Sequence, residues 1–194
     1  MPRKVIKTLG ASNHTEEQRE INDYYATDPQ ALLDFLKAFE EDQQTLSNLI
    51  WEPACGEGNI AKELIKKGHI VKSTDLIDRG FGKCQDFLKV STDTIFDGDI
   101  VTNPPYVYSE DFVRRSLSIV GKNKKVIMLF KMQFVESVKR YKLFEKYPPR
   151  FIYVHSRRIK IWKNNTKSVP QALCYAWFVW QKGYKGATVL RWIK

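Results

Sequence analysis

Asn48-Leu49-Ile50-Trp51-Glu52-Pro53-Ala54-Cys55-Gly56-Glu57-Gly58-Asn59 reads as a short apolar strand, a turn of small residues and the start of a helix that continues from Ile60 to about Lys67. A strand that turns through glycines into a helix is the first unit of a doubly wound parallel sheet. Its glycines let a ligand come close to the backbone at the helix N-terminus. The turn is not a GxGxxG fingerprint, and no Gly-Lys-Ser/Thr follows it, so neither phosphate-binding signature is present. Taken alone, a Gly-x-Gly such as Gly56-x-Gly58 is more often a plain turn than a site, and its meaning rests on what surrounds it.

A second strand follows at His69–Thr74, with Asp75 at its C-terminal end. An acid about 20 residues past a glycine turn is placed to accept from ribose hydroxyls, because the tips of the first two strands lie side by side. Asp86-Phe87 then pairs a carboxylate with a ring, a combination suited to an adenine. Further on, the apolar run Asp99–Thr102 stops at Asn103-Pro104-Pro105-Tyr106. Two prolines fix φ and supply no N–H, so the strand ends in a stiff turn rich in acceptors. Asn103 offers a side-chain carbonyl, Pro104 a backbone carbonyl and Tyr106 an aromatic face. Two acceptors and a ring are what a planar amino group on a nucleobase needs. Its lone pair is delocalised, so both N–H bonds must be drawn to acceptors before the nitrogen attacks, while the ring stacks and stabilises developing positive charge.

Upstream, Pro29 sits at a first helical turn and Ala31, Leu32, Phe35, Leu36 and Phe39 follow at helical spacing, predicting an amphipathic helix capped by Thr27-Asp28. Residues 1–23 are polar, without sustained apolar period, and are expected to form a loosely held arm ahead of a single domain at 24–194. Downstream the spacing predicts a helix over 111–120, a strand over 124–130, a helix over 135–147 stopped by Pro148-Pro149, and strands over 151–155 and 173–180. The expected fold is a Rossmann-like, seven-stranded, mostly parallel sheet with an antiparallel last strand and helices on both faces.

The net charge is +10, and it is one-sided: from Arg114 to Lys167 there are 16 Lys or Arg against 2 Asp or Glu. Such a field suits a polyanion such as nucleic acid better than a membrane, for which no basic amphipathic anchor is present. Between the last two strands, Arg157, Arg158, Lys160 and Lys163 surround Trp162, the pairing of phosphate-neutralising and stacking groups used on single or flipped strands. Cys55, Cys84 and Cys174 are far apart and the three histidines join no cluster, so a reduced, metal-free, cytoplasmic protein is expected.

Glu52-Pro-Ala-Cys-Gly-x-Gly, Asp75, Asp86-Phe87-Leu88 and Asn103-Pro-Pro-Tyr, in this order and spacing, resemble the class I S-adenosylmethionine-dependent methyltransferases. The Asn-Pro-Pro-Tyr form is similar to the DNA adenine-N6 branch, and Thr27-Asp28-Pro29 to the motif that precedes the cofactor motifs there. The stretch from Phe134 to Gly183 resembles small stand-alone methyltransferases of phages and prophages. The resemblance spans about Tyr25 to Trp180. It implies S-adenosyl-L-methionine as cofactor, held by Glu52, Pro53, Ala54, Gly56 and Gly58 along its methionine part. Thr27 would lie near its carboxylate, Asp75 on the ribose, Asp86 and Phe87 on the adenine, and Asn103 between cofactor and target. Asn103, Pro104, Pro105 and Tyr106 would be catalytic, with Tyr106, Arg157, Arg158, Lys160, Trp162 and Lys163 on the nucleic acid.

The implied activity is methylation of adenine N6 in DNA after base flipping. Cytosine C5 chemistry is excluded, since no proline is followed by the cysteine it needs as nucleophile. Amino methylation of cytosine usually has Ser, Thr or Asp in place of Asn103. Glutamine methyltransferases acting on release factors also carry Asn-Pro-Pro-Tyr but resemble this chain less, because they add an N-terminal helical domain. RNA serves the same chemistry and is the main rival substrate; a non-catalytic cofactor-binding scaffold is the rival of another class. No separate target-recognition region is expected after Tyr106. Specificity is therefore expected from short loops, from a homodimer or accessory partner, or to be relaxed.

Overall fold

The computed structural model describes residues 25–93, 95–163 and 173–194, and for Tyr25 and 161–163 the backbone alone. The arm expected over 1–23 lies outside the described residues. In chain order the elements are β1 (Tyr25–Thr27), α1 (Pro29–Glu41), β2 (Leu49–Glu52), α2 (Asn59–Lys66), β3 (Ile70–Asp75), β4 (Lys83–Cys84) and β5 (Asp99–Thr102). They continue with α3 (Ser109–Ile119), β6 (Lys125–Lys131), α4 (Val138–Lys146), β7 (Phe151–His155), β8 (Ile161–Lys163), β9 (Tyr175–Gln181) and β10 (Val189–Ile193).

Helix α1 starts where its sequence requires: Asp28 caps it, Oδ1 accepting from the Gln30 N–H at 3.0 Å, and Pro29 occupies the first turn. Its apolar stripe, Leu32, Phe35, Leu36 and Phe39, packs with Ile60 and Leu64 of α2 on one face of the sheet, against Ile50, Val101, Ile127 and Trp177. The alternate strand residues, Trp51, Ile100, Val126, Met128 and Phe178, face Phe112 and Leu117 of α3 and Leu143 of α4 on the other. Strands buried on both faces explain why β5, β6 and β9 read as unbroken apolar runs rather than alternating ones.

Eight strands form the main sheet in the order β10-β7-β9-β6-β5-β2-β3-β4. All run in one direction except β9, which is antiparallel to both β6 and β7. The expected seven strands are thus one short, and the antiparallel strand is not the last. The short connection through Gly183 reverses the chain after β9, so β10 lies antiparallel to β9 in direction and pairs in parallel with β7, which stands between them. The expected helix over 135–147 is also divided. Met132–Val135 make a 3-10 turn, Ser137 is extended (φ −174°, ψ 130°), and α4 begins only at Val138.

Strand order reverses between β2 and β5: β3 and β4 lie to one side of β2, β5 and β6 to the other. The loops that leave the C-terminal ends of these two neighbouring strands part to opposite faces and open a crevice, the usual ligand site of such sheets. The glycine turn follows β2 and Asn103-Pro-Pro-Tyr follows β5, so the two motifs face each other across it. A separate two-stranded ribbon, β1 with β8, sits at this edge, with Thr27 paired to Ile161.

Candidate functional site

The first wall of the crevice is built from β2 and β3. Gly56 and Gly58 adopt left-handed conformations (φ 52° and 83°), and Gly58 is the residue from which α2 starts. Asp75 ties this turn to the next strand: one carboxylate oxygen accepts from Gly56 N–H at 2.8 Å and the other from Ile77 N–H at 3.0 Å. The Phe81 ring lies on Gly58 so closely that a Cβ there would come within 2.4 Å of it. The 76–82 loop is therefore laid over the glycine turn.

Glu52, the last residue of β2, is 1% exposed. Burial, reinforced by the Asp75 charge, holds its carboxyl well above the usual carboxylate range, against the lowering effect of the Ala61 N–H. Its Oε2 has no hydrogen-bond partner among the described residues. A buried carboxyl with an unsatisfied oxygen at a ligand crevice is suited to a cationic donor such as an ammonium group. The neighbouring Cys55 thiol is pushed up to about 12 by burial and by the Glu52 and Asp75 charges, which keeps its thiolate form scarce near neutral pH. No group of three potential metal-ligating side chains occurs among the described residues.

The second wall is the end of β5. Pro104 is buried, and its carbonyl accepts no backbone N–H among the described residues, whereas the Pro105 carbonyl accepts from Tyr108 at 3.0 Å. The Tyr106 ring is half-buried, 6.5 Å from the Tyr175 ring and with the Lys131 ammonium 5.1 Å from its centre. Asn103 donates through Nδ2 to Thr27 Oγ1 at 3.0 Å, which directs its carbonyl oxygen away from Thr27. The Thr27 carbonyl in turn accepts from Asn59 Nδ2, at the head of α2, at 3.2 Å. Thr27 thus joins the glycine-turn helix, the β5 turn and, through its strand, the basic β8 segment.

Glu52, Pro53, Ala54, Gly56, Gly58, Asp75, Thr27 and Asn103 to Tyr106 all belong to these two facing strand ends and the ribbon above them. Phe87 is 2% exposed, its ring packed against Trp51 and Phe112. Asp86 is half-buried and caps the 3-10 turn Phe87–Lys89, accepting from Leu88 N–H at 3.0 Å and standing 3.4 Å from the Lys89 ammonium. Arg157 is engaged in an ion pair with Asp34 of α1. Arg158 and Lys160 are exposed, and the Lys160 carbonyl accepts from Asp28 N–H. The side chains of Trp162 and Lys163 lie outside what is described; their backbone forms β8. Sequence reading missed Asn59, Phe81, Lys131 and Tyr175. Only Asn59, adjacent to the glycine turn, carried a local signal.

No protein-family model and no curated protein matches the sequence. Solved structures do. A Listeria monocytogenes protein described as a class I S-adenosylmethionine-dependent methyltransferase superposes with a TM-score of 0.56 at 14% identity, over 84% of this chain and 65% of that one. A Pyrococcus horikoshii protein described as an RNA methyltransferase gives 0.59 at 12% identity, over 81% and 86%. A Vibrio vulnificus protein described as the modification subunit of a type I restriction enzyme gives 0.57 at 9% identity, over 85% and 45%. The chain therefore spans about two thirds of the first of these proteins and under half of the third. At these identities the likeness shows the fold, an open α/β sheet of the class I methyltransferase type.

Proposed function

We propose that the chain is an S-adenosylmethionine-dependent methyltransferase that acts on the exocyclic N6 of adenine in DNA, taken into the crevice by base flipping. The observation that carries this reading is the convergence of Asn103, Pro104 and the glycine turn on one crevice, with Thr27 bonded to both sides. The donor set fits the cofactor: Glu52 would receive its ammonium group, Gly56 and Gly58 give its backbone room, and each Asp75 oxygen retains a lone pair for the ribose hydroxyls. When bound, it supplies an electrophilic methyl group on a sulfonium centre.

The chain's own residues prepare the acceptor. Asn103 Oδ1 and the Pro104 carbonyl take the two N–H bonds of the amine, which moves its lone pair out of conjugation as nitrogen pyramidalises. Tyr106 stacks on the base and stabilises the charge that grows on nitrogen, by about 0.5–2 kcal/mol. The buried walls exclude water, and alignment supplies most of the rate. After transfer the nitrogen-bound proton is acidic and leaves to solvent, so no general base is required. The basic segment around Arg158 and Lys160 holds the phosphates flanking the extruded base. The likeness to a modification subunit of a restriction enzyme favours DNA. The likeness to a protein described as an RNA methyltransferase makes RNA the second reading.

The test is transfer of isotope-labelled methyl groups from S-adenosylmethionine to methylation-free DNA and, separately, to unmodified RNA. Label in DNA that disappears in Asn103→Ala and Tyr106→Ala, both still folded and cofactor-binding, is expected. Label confined to RNA would move the substrate, and label in neither with cofactor bound would refute the activity.

A further inference from the structure

The chain that leaves β6 emerges at the rim of the crevice, because Lys131, its last residue, stands over the Tyr106 ring. In the 3-10 turn that follows, Phe134 turns inward and stacks on Phe130, with ring centres 4.2 Å apart. Arg140 locks the turn to α4, its guanidinium 4.7 Å from the Phe134 ring and donating to the Phe134 carbonyl at 3.1 Å. Met132, Leu143 and Phe144 join Phe134 on the core, whereas Val135, Val138 and Tyr141 point the other way, 44%, 93% and 65% exposed. On the other side of Tyr106, Val107 and Tyr108 are exposed as well. Five of the eleven large hydrophobic side chains exposed among the described residues thus lie in the two segments that leave β5 and β6. A scatter of exposed apolar groups is ordinary, but a concentration beside a site marks a contact surface.

Charge selects the occupant. Residues 131–146 carry five basic side chains against two acidic ones, and Lys139 and Lys142 are interleaved with the exposed Val138 and Tyr141. A second copy of this chain, net +10, would bring like charge to the same place. A polyanion with an apolar, stackable interior meets both features. Resting on the proposed adenine methylation, we infer that the Val135–Lys142 surface grips duplex DNA beside the extruded base. Lys139 and Lys142 neutralise phosphates, while Val138 and Tyr141 press on the bases left unstacked when the adenine leaves. Exposed apolar wedges act in this way where a duplex is locally opened.

The experiment uses one methylation-free circular DNA, offered as single strand and as duplex, with Val138→Ser/Tyr141→Ala combined. Both side chains are solvent-facing, so an unchanged melting temperature and cofactor Kd are expected of the variant. Because a wedge acts only where a stack must be opened, kcat/KM should fall about tenfold or more on the duplex and less than about threefold on the single strand. Lys139→Gln/Lys142→Gln should reduce the slope of log binding against log salt by about 1.8 for duplex DNA. Wild-type kcat/KM of the Val138/Tyr141 variant on duplex, or an equal loss on both templates, would overturn this inference alone. Absence of wild-type transfer to either DNA would overturn the proposed function with it.

Discussion

Replacing Thr27 by valine keeps the shape of the side chain and deletes Oγ1, the atom that accepts from Asn103 Nδ2. Thr27 is 3% exposed and Asn103 half-buried, so a valine methyl rather than water takes the place of Oγ1. Removing the acceptor of a neutral hydrogen bond in such a place costs about 1–3 kcal/mol. That cost has two outlets. If the Asn103 amide stays in place, it appears as lost stability, roughly 2–10 °C of melting temperature for a chain of this size. If the amide turns to find another acceptor, its carbonyl leaves the position from which it draws the amine, and kcat falls by roughly 5- to 150-fold at 1.4 kcal/mol per decade. The two effects, converted to free energy, should sum to about 1–3 kcal/mol. Single-turnover methyl transfer at saturating cofactor, thermal melting and cofactor titration together measure this. Thr27→Ser, which keeps the hydroxyl, should recover both. Wild-type kcat and melting temperature in Thr27→Val, or a serine variant as impaired as the valine one, would refute the positioning role. A selective rise in cofactor Kd would instead place the hydroxyl on the cofactor, as the sequence resemblance implies.

Gly58→Ala must hold a Cβ at φ 83° against the Phe81 ring, so it should cost more than the ~1–2 kcal/mol of left-handed strain alone. Combining it with Phe81→Ala should lose less than the sum of the two in a melting double-mutant cycle. His155 is buried with neither ring nitrogen hydrogen-bonded among the described residues. Burial lowers its pKa to about 4, with the nearby Arg157 charge assisting and Asp34 opposing. The unfolded chain binds this proton from about pH 6.5 downward and the folded one does not, so stability falls between pH 6.5 and 4, by about 3 kcal/mol in all. His155→Phe should flatten that slope in denaturant titrations against pH. Glu52 has the opposite sign: its raised pKa means stability is lost as pH rises above the unfolded value of 4.5. Glu52→Gln should therefore raise the melting temperature at pH 8 while weakening binding of the ammonium-bearing cofactor, measured by calorimetry.

What was legible in the sequence is what local chemistry dictates. Glycines between an apolar strand and a helix, an acid at the next strand's tip, and two prolines after an apolar run each describe a turn at the end of a strand. In a parallel sheet those ends share one edge, so Glu52 to Gly58, Asp75 and Asn103 to Tyr106 could be expected together before any coordinates. The elements that escaped depend on distant partners. β1 is three residues long and forms because β8, more than 130 positions later, lies beside it. β10, which follows the last strand expected from the spacing, forms because β7 offers it an edge. Phe87 reads as a ligand's ring because it neighbours Asp86, whereas the ring's packing on Trp51 and Phe112 depends on residues far along the chain. The Thr27 hydroxyl read as a helix cap, a role that Asp28 performs one position on.

The central claim is that this crevice methylates the exocyclic nitrogen of adenine in DNA. The most direct test is the position of the new methyl group: methylation-free DNA incubated with the protein and S-adenosylmethionine, digested to nucleosides and resolved by mass spectrometry. The account predicts N6-methyldeoxyadenosine as the product, absent with Asn103→Ala. Methyl on cytosine carbon, or N6-methyldeoxyadenosine formed equally well by Asn103→Ala, would contradict it.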